Sequence, residues 1–170
     1  YLSVDLDYLY FYNENPTNYS NSFYDENGDF EKEELTKSDK TTPLNAFVTS
    51  TDYSNQINED FKLEAGAKAA FSSFENDVIV ATFDGEEFVP DSTLTNFSEL
   101  DESILAIYAS GDYNISEKTN AKIGLRYEHT DSQLDTDKDG TVVDRNYGEF
   151  FPSAFISHQV NDSLSFNFSY

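Results

Sequence analysis

The clearest candidate for chemistry is Asp135-Thr136-Asp137-Lys138-Asp139-Gly140, with carboxylates at alternate positions and a glycine at the sixth. Hard cations such as Ca2+ favour clustered carboxylate oxygens, and glycine permits the sharp turn such a loop needs. The twelfth position is Asn146 where a calcium loop of this type closes with a bidentate glutamate, and the flanks read as strands. Asp135, Asp137 and Asp139 are therefore a metal candidate to be set against a solvated turn, and no other cofactor is expected. The two histidines, His129 and His158, have no second histidine at ligand spacing and no serine nucleophile motif beside them. With no cysteine there is neither thiolate chemistry nor a disulfide framework. No glycine-rich phosphate loop occurs. Carboxylate pairs can be drawn anywhere in a chain with 33 acids, so their abundance carries no catalytic signal. The expectation is that this is no enzyme.

A second set of candidates is aromatic. Tyr19, Phe23, Tyr24, Phe30, Phe88 and Phe97 stand among Asn, Ser, Thr and acidic residues. Rings supply contact area and polar neighbours supply direction, a mixture suited to binding a ligand, with packing of these segments on one another as the alternative.

What must position these residues is a set of strands. Leu2, Val4, Leu6, Tyr8, Tyr10 and Tyr12 alternate with Ser3, Asp5 and Asp7, and Phe61, Leu63, Ala65, Ala67, Ala69 and Phe71 alternate with Lys62, Glu64 and Lys68. The same period of two returns in 103–114, 120–131 and 164–170, and more faintly in 45–55 and 150–160. The expectation is an all-β antiparallel up-and-down meander of about seven strands, near 1–13, 45–55, 61–76, 103–114, 120–131, 150–160 and 164–170. Short connections (55–60, 115–120, 161–163) alternate with long ones (13–44, 77–103, 132–149). A large transmembrane β-barrel has such a rim asymmetry, with tight turns inside and long loops outside.

Composition narrows the classes further. The net charge of −23 opposes nucleic acid and anionic lipid headgroups as partners. Low hydrophobicity (38%) would suggest disorder, but 16% aromatic residues argue for packed strands. No apolar run approaches the length of a membrane helix, whereas a barrel strand needs only about 9–11 residues with every second one apolar. The three long connections hold 21 of the 33 acids and 5 of the 10 bases, so their loops are expected to form a negative rim that attracts cations. The absence of Met and a start at Tyr1 inside a strand read as a piece of a longer polypeptide. A loose repeat aligns Asp52-Tyr53 and Glu64-Ala65-Gly66-Ala67-Lys68 with Asp112-Tyr113 and Lys122-Ile123-Gly124-Leu125-Arg126. In each copy a glycine falls on the polar face, where a neighbouring side chain needs room.

Several stretches carry a family resemblance: LEAGAK (Leu63 to Lys68), AKIGLRYEHTDS (Ala121 to Ser132), VVDRNYGEFFPSAFISHQVND (Val142 to Asp162) and LSFNFSY (Leu164 to Tyr170). DENGD (Asp25 to Asp29), after DLDYLYFYN (Asp5 to Asn13), is similar to an early loop of the same region. Together they resemble the C-terminal barrel part of TonB-dependent outer-membrane receptors, Bacteroidetes type. The resemblance implies a barrel of roughly 22 strands filled by a plug, importing a ligand with energy from TonB. It implies a place in the cell outer membrane, with the long loops extracellular. Its partners would be lipid, the rest of the barrel and its plug, TonB through other regions, and a surface lipoprotein as a further candidate. The alternative from a different class is a soluble, secreted acidic β-protein acting as an adhesin or calcium-dependent binding module.

Overall fold

The computed structural model describes residues 1–170. Eight strands and no helix make up the chain: β1 (Leu2–Tyr24), β2 (Phe30–Gln56), β3 (Phe61–Phe83), β4 (Phe88–Pro90), β5 (Asn96–Ser116), β6 (Thr119–Thr136), β7 (Gly140–Asn161) and β8 (Leu164–Ser169). The sheet order is β1-β2-β3-β5-β6-β7-β8, every pairing is antiparallel, and β4 hairpins onto the end of β3 alone. The seven-strand meander expected from alternation is thus present, with one three-residue strand added. Strands β1 and β8 end the sheet and do not pair with each other.

The long connections are corrected. Segments 13–44, 77–103 and 132–149 are mostly strand, drawn out beyond the alternating regions and closed by turns at 25–29, 84–87 and 137–139. Between β3 and β5 the chain makes the short β4 and a second turn at 91–95. The reason is physical: period-two hydrophobicity marks a strand only where one face is apolar and the other wet. Where both faces meet water, Thr, Tyr and Phe still favour extended backbone, but the alternation disappears.

Residues directly opposite on neighbouring strands share a face. Following the register, Leu2, Tyr53, Ala65, Ala109, Leu125 and Pro152 form one row, and Val4, Thr51, Ala67, Ile107, Tyr127 and Phe150 the next. These rows belong to a belt running from Phe61, Tyr113, Ala121 and Ile156 to Phe47 and Phe71, uncharged except for Asp131 in its uppermost row. From Phe61 to Phe71 is ten residue steps of about 3.4 Å, or roughly 26 Å at a strand tilt of about 40°. Barrels of the outer membrane carry an apolar band about 25 Å tall.

Only three residues are buried, Ala106, Thr42 and Thr130, and all three lie on the opposite, polar face. On the belt face Ile107 is 63% exposed, Ile123 68% and Phe150 67%. A curved single-layer sheet crowds its concave side and spreads its convex side, so the belt is convex and the polar face concave. A water-soluble domain instead packs its apolar face against a second layer. Between the two sheet edges the backbone groups are paired internally, with 106 of 120 backbone hydrogen bonds inside the strand ladders. That is the condition for crossing hydrocarbon.

Candidate functional site: the two faces of the barrel wall

At the depth of the belt, the concave face is an ion-pair lattice. Glu64 takes Lys62 at 2.7 Å from its own strand and Lys122 at 2.5 Å from β6, and Ser110 on β5, between them, donates to it at 3.4 Å. Arg126 donates through two nitrogens to Glu128 at 2.6 and 3.0 Å, and Asn120 donates to both Asp112 and Asn114. Every charge at this depth faces inward, where water or protein can meet it, except Asp131 at the belt's upper edge. Glycines make room for rings on both faces. A Cβ on Gly66 would collide with the Tyr108 hydroxyl, and one on Gly148 with the Tyr127 hydroxyl. Gly124 has Ser153 Oγ at 2.7 Å from the same hypothetical position, so both glycines of the internal repeat sit under a neighbour's side chain.

From the upper edge of the belt outward the charge divides by face. The convex side carries Glu14, Glu33 and Asp39 from β1 and β2, and Glu75, Asp77, Glu99 and Asp101 from β3 and β5. It also carries Asp131, Asp135 and Asp144 from β6 and β7, against the single base Lys37. The concave side at the same heights has only Glu34 and Glu102 as acids, with Lys32, Lys40 and Arg145 as bases. The expected negative rim is therefore a negative outer skin around a nearly neutral inner wall. Glu99 registers this crowding: Asp101 beside it, then partial burial, then Glu75 and Asp135 on adjoining strands raise its carboxyl above the ordinary value.

The outer turns are held by carboxylates acting as caps. Asp25 accepts the backbone N–H of Asn27 and Asp29 at 2.9 and 2.8 Å, and Asp84 accepts those of Glu86 and Glu87 at 2.9 and 3.0 Å. Asp91 accepts both the hydroxyl and the N–H of Thr93. The Asp29 N–H chiefly lowers the Asp25 pKa, the Glu87 N–H that of Asp84, and the Thr93 hydroxyl that of Asp91. Gly28, Gly85 and Gly140 supply the left-handed backbone at the three tips, with φ of +86°, +109° and +67°.

The aromatic candidates do not converge on one site. Tyr24 and Phe30 meet edge to face at 6.1 Å across the first hairpin tip. Phe88 packs on Phe83 at 5.3 Å beneath the Lys37 ammonium, on the convex side, and Phe97 is convex as well. Tyr19 and Phe23 face the concave side, Phe23 under Lys32. The three aspartates of the metal candidate hold different partners. Asp135 accepts from Gln133 and Thr141, Asp137 accepts the Phe97 N–H, and the Asp139 N–H donates to the Thr136 hydroxyl. No three carboxylate or histidine side chains converge as a cage. His129 lies on the convex face near the upper edge of the belt, opposite Leu105, and His158 sits at the other rim, 2.8 Å from the Thr119 hydroxyl.

One concave feature escapes the alternation reading: a row of apolar side chains just outward of the belt, which includes Phe11, Leu44 and Phe74. Its signal is the unbroken run Tyr8-Leu9-Tyr10-Phe11-Tyr12, where both parities turn apolar at once.

Compared with known proteins, residues 1–170 match the outer membrane protein beta-barrel family from end to end. The chain belongs to that family. As a member of it, the chain is a section of outer-membrane barrel, and the convex belt is the surface that meets lipid. No curated protein matches it. Among solved structures, the ferric citrate transporter FecA in its unliganded form superposes with a TM-score of 0.52 at 15% identity. The match covers 94% of this chain and 23% of that one, a likeness of fold to one section of a larger barrel.

Proposed function

We propose that this chain forms barrel wall and extracellular entrance in a TonB-dependent outer-membrane receptor that imports a ligand. The observation that carries the proposal is the pairing of a bare convex belt with an ion-paired concave face in one open-edged meander. That arrangement suits a wide, water-containing lumen, and a soluble adhesin would need a second layer over the belt. The chain takes no catalytic part. The remaining strands and a plug complete the barrel, and TonB contacts regions outside these residues. The outer strand ends face the cell exterior: β2 runs from Phe30 to Ala46 beyond the belt, roughly 40 Å at about 3.3 Å per residue and the same tilt. Calcium at Asp135, Asp137 and Asp139 is dispensable.

Single cysteines test the orientation in the full-length protein on intact cells. A membrane-impermeant maleimide should label Asn27→Cys, Glu86→Cys and Lys138→Cys and leave Asn58→Cys, Glu117→Cys and Asp162→Cys unlabelled. The opposite pattern overturns the entrance role.

A further inference from the structure

Above the belt, the concave face presents one apolar residue from each of six successive strands in a single row: Phe11, Leu44, Phe74, Leu100, Leu134 and Val143. At about 4.8 Å between strands this collar is roughly 24 Å wide. The row outward of it is Asn13, Thr42, Asn76, Ser98 and Thr136, with amide and hydroxyl groups and no charge. The row beneath carries Glu102 and Arg145, opposite in sign and both aligned with Ser132 between them. Phe11 is 54% and Phe74 40% exposed, so the collar is uncovered within this chain.

The placement matters because the chain is so acidic. Ten carboxylates at these heights lie on the other side of the same sheet, where they cannot touch anything inside the barrel. A charged ligand pressed against the collar would give up water and find no counter-charge in the row it meets. An uncharged one has no ionic hydration to give up there, buries apolar surface on the collar and exchanges its hydrogen bonds to water for ones with the amides and hydroxyls just outward of it.

We infer that this collar is the ligand-contact ring of the vestibule and that its ligand is uncharged, with an apolar face against Phe11 and Phe74 and hydroxyl or amide groups toward Asn13 and Asn76. This rests on the import reading above. The negative outer skin has no part in choosing the ligand.

The absence of cysteine in this chain makes a site-directed thiol assay direct. In the full-length receptor in nanodiscs, the rate at which a neutral maleimide labels Ser98→Cys is followed with three probes of equal tail and different head: hexyl glucoside, hexyl sulfate and hexylammonium. Hexyl glucoside should slow labelling by about tenfold at a concentration where either charged probe slows it by less than about twofold, and Phe74→Asn should remove the protection, with folding checked by heat-modifiable gel mobility. Best protection by hexylammonium that fades in high salt would give the choice to the acids and overturn the inference. So would equal protection by all three probes, or protection that survives Phe74→Asn. A Ser98 thiol already shielded with no probe present would assign the collar to the receptor's own plug. On intact cells, an impermeant maleimide that reaches Glu117→Cys but not Ser98→Cys would overturn the entrance reading itself, a result separate from any of these.

Discussion

Leu125 stands at the centre of the belt, four residues outward of Ala121 in the lowest row and six short of Asp131 beside Ser103 and Phe71 in the uppermost. It is 49% exposed on the convex side, so its replacement by arginine puts a cation in hydrocarbon with no neighbour able to pair it. At mid-bilayer that costs about 2–4 kcal/mol, falling to about 0–1 near the interfaces. Leu125→Arg should therefore lower the ratio of folded to unfolded protein about 30- to 900-fold at a fixed urea concentration. Leu105→Arg, nearer the upper edge, should cost less, and Tyr113→Arg at the lower edge least. The concave control is Lys122→Gln. It removes one of the two lysines on Glu64, but the pair is 42% and 28% exposed, and a solvent-screened ion pair contributes about 0–1 kcal/mol. The assay is urea unfolding of the full-length barrel in liposomes, read by heat-modifiable mobility. A flat profile across Leu125, Leu105 and Tyr113, or a Lys122→Gln cost matching that of Leu125→Arg, would refute the assignment of the belt to lipid.

Gly148→Ala should destabilise by about 1–3 kcal/mol through overpacking and be rescued by Tyr127→Ala, because the three atoms nearest the added Cβ all belong to the Tyr127 side chain. Gly66→Ala should resist rescue by Tyr108→Ala, since the Thr51 carbonyl oxygen also lies 2.6 Å from the added carbon; urea midpoints of the double variants check both. The caps Asp25, Asp84 and Asp91 have lowered pKa values, so the stability they lend is complete above the ordinary value of 3.8 and is lost as pH falls through their folded values; pepsin should begin to cut at 25–29 and 84–91 only below about that pH. Glu99 has the opposite sign: its raised pKa makes its contribution fall as pH rises from the ordinary 4.5 through the folded value, so Glu99→Gln should stabilise the outer wall at pH 7 and change nothing at pH 4, by thermal unfolding monitored at each pH.

The belt was legible because a bilayer imposes a two-sided rule on each strand. Phe61 to Lys68 obeys it in every residue pair, and the ladder joins the odd positions of β3 to Leu105, Ile107 and Leu125 without a register error. Past Phe71 the rule lapses: Ser73, Glu75 and Asp77 oppose Ser72, Phe74 and Asn76, and neither set is uniformly apolar. Such stretches resemble loops in sequence, because a strand with water on both sides has no hydrophobic period. The sidedness of the acids was recoverable all the same. Parity continues unbroken along a strand, so Glu75 and Asp77 had to share the convex side with Phe71, and Phe74 had to leave it. Composition alone does not separate the faces of a strand, so the aromatic candidates divide between Tyr19 and Phe23 on one face and Phe88 and Phe97 on the other.

The open edges set the last constraint. In the belt, β1 has a neighbour on one side only, so from Leu2 to Tyr8 the backbone groups directed away from β2 have no partner within this chain. Each such group would cost several kcal/mol in hydrocarbon, with no water to satisfy it. At the other end β8 stops pairing at Phe155, and β7 outward of that region has only the Ala154–Tyr170 backbone bonds beyond the ladder. Convex belt and concave ion pairs fix which way the wall faces, but they cannot offset unpaired edges of this length. At membrane depth both edges must therefore be closed by further strands, and the lumen they enclose is lined by the same concave face that carries Glu64, Arg126 and, above them, the apolar collar.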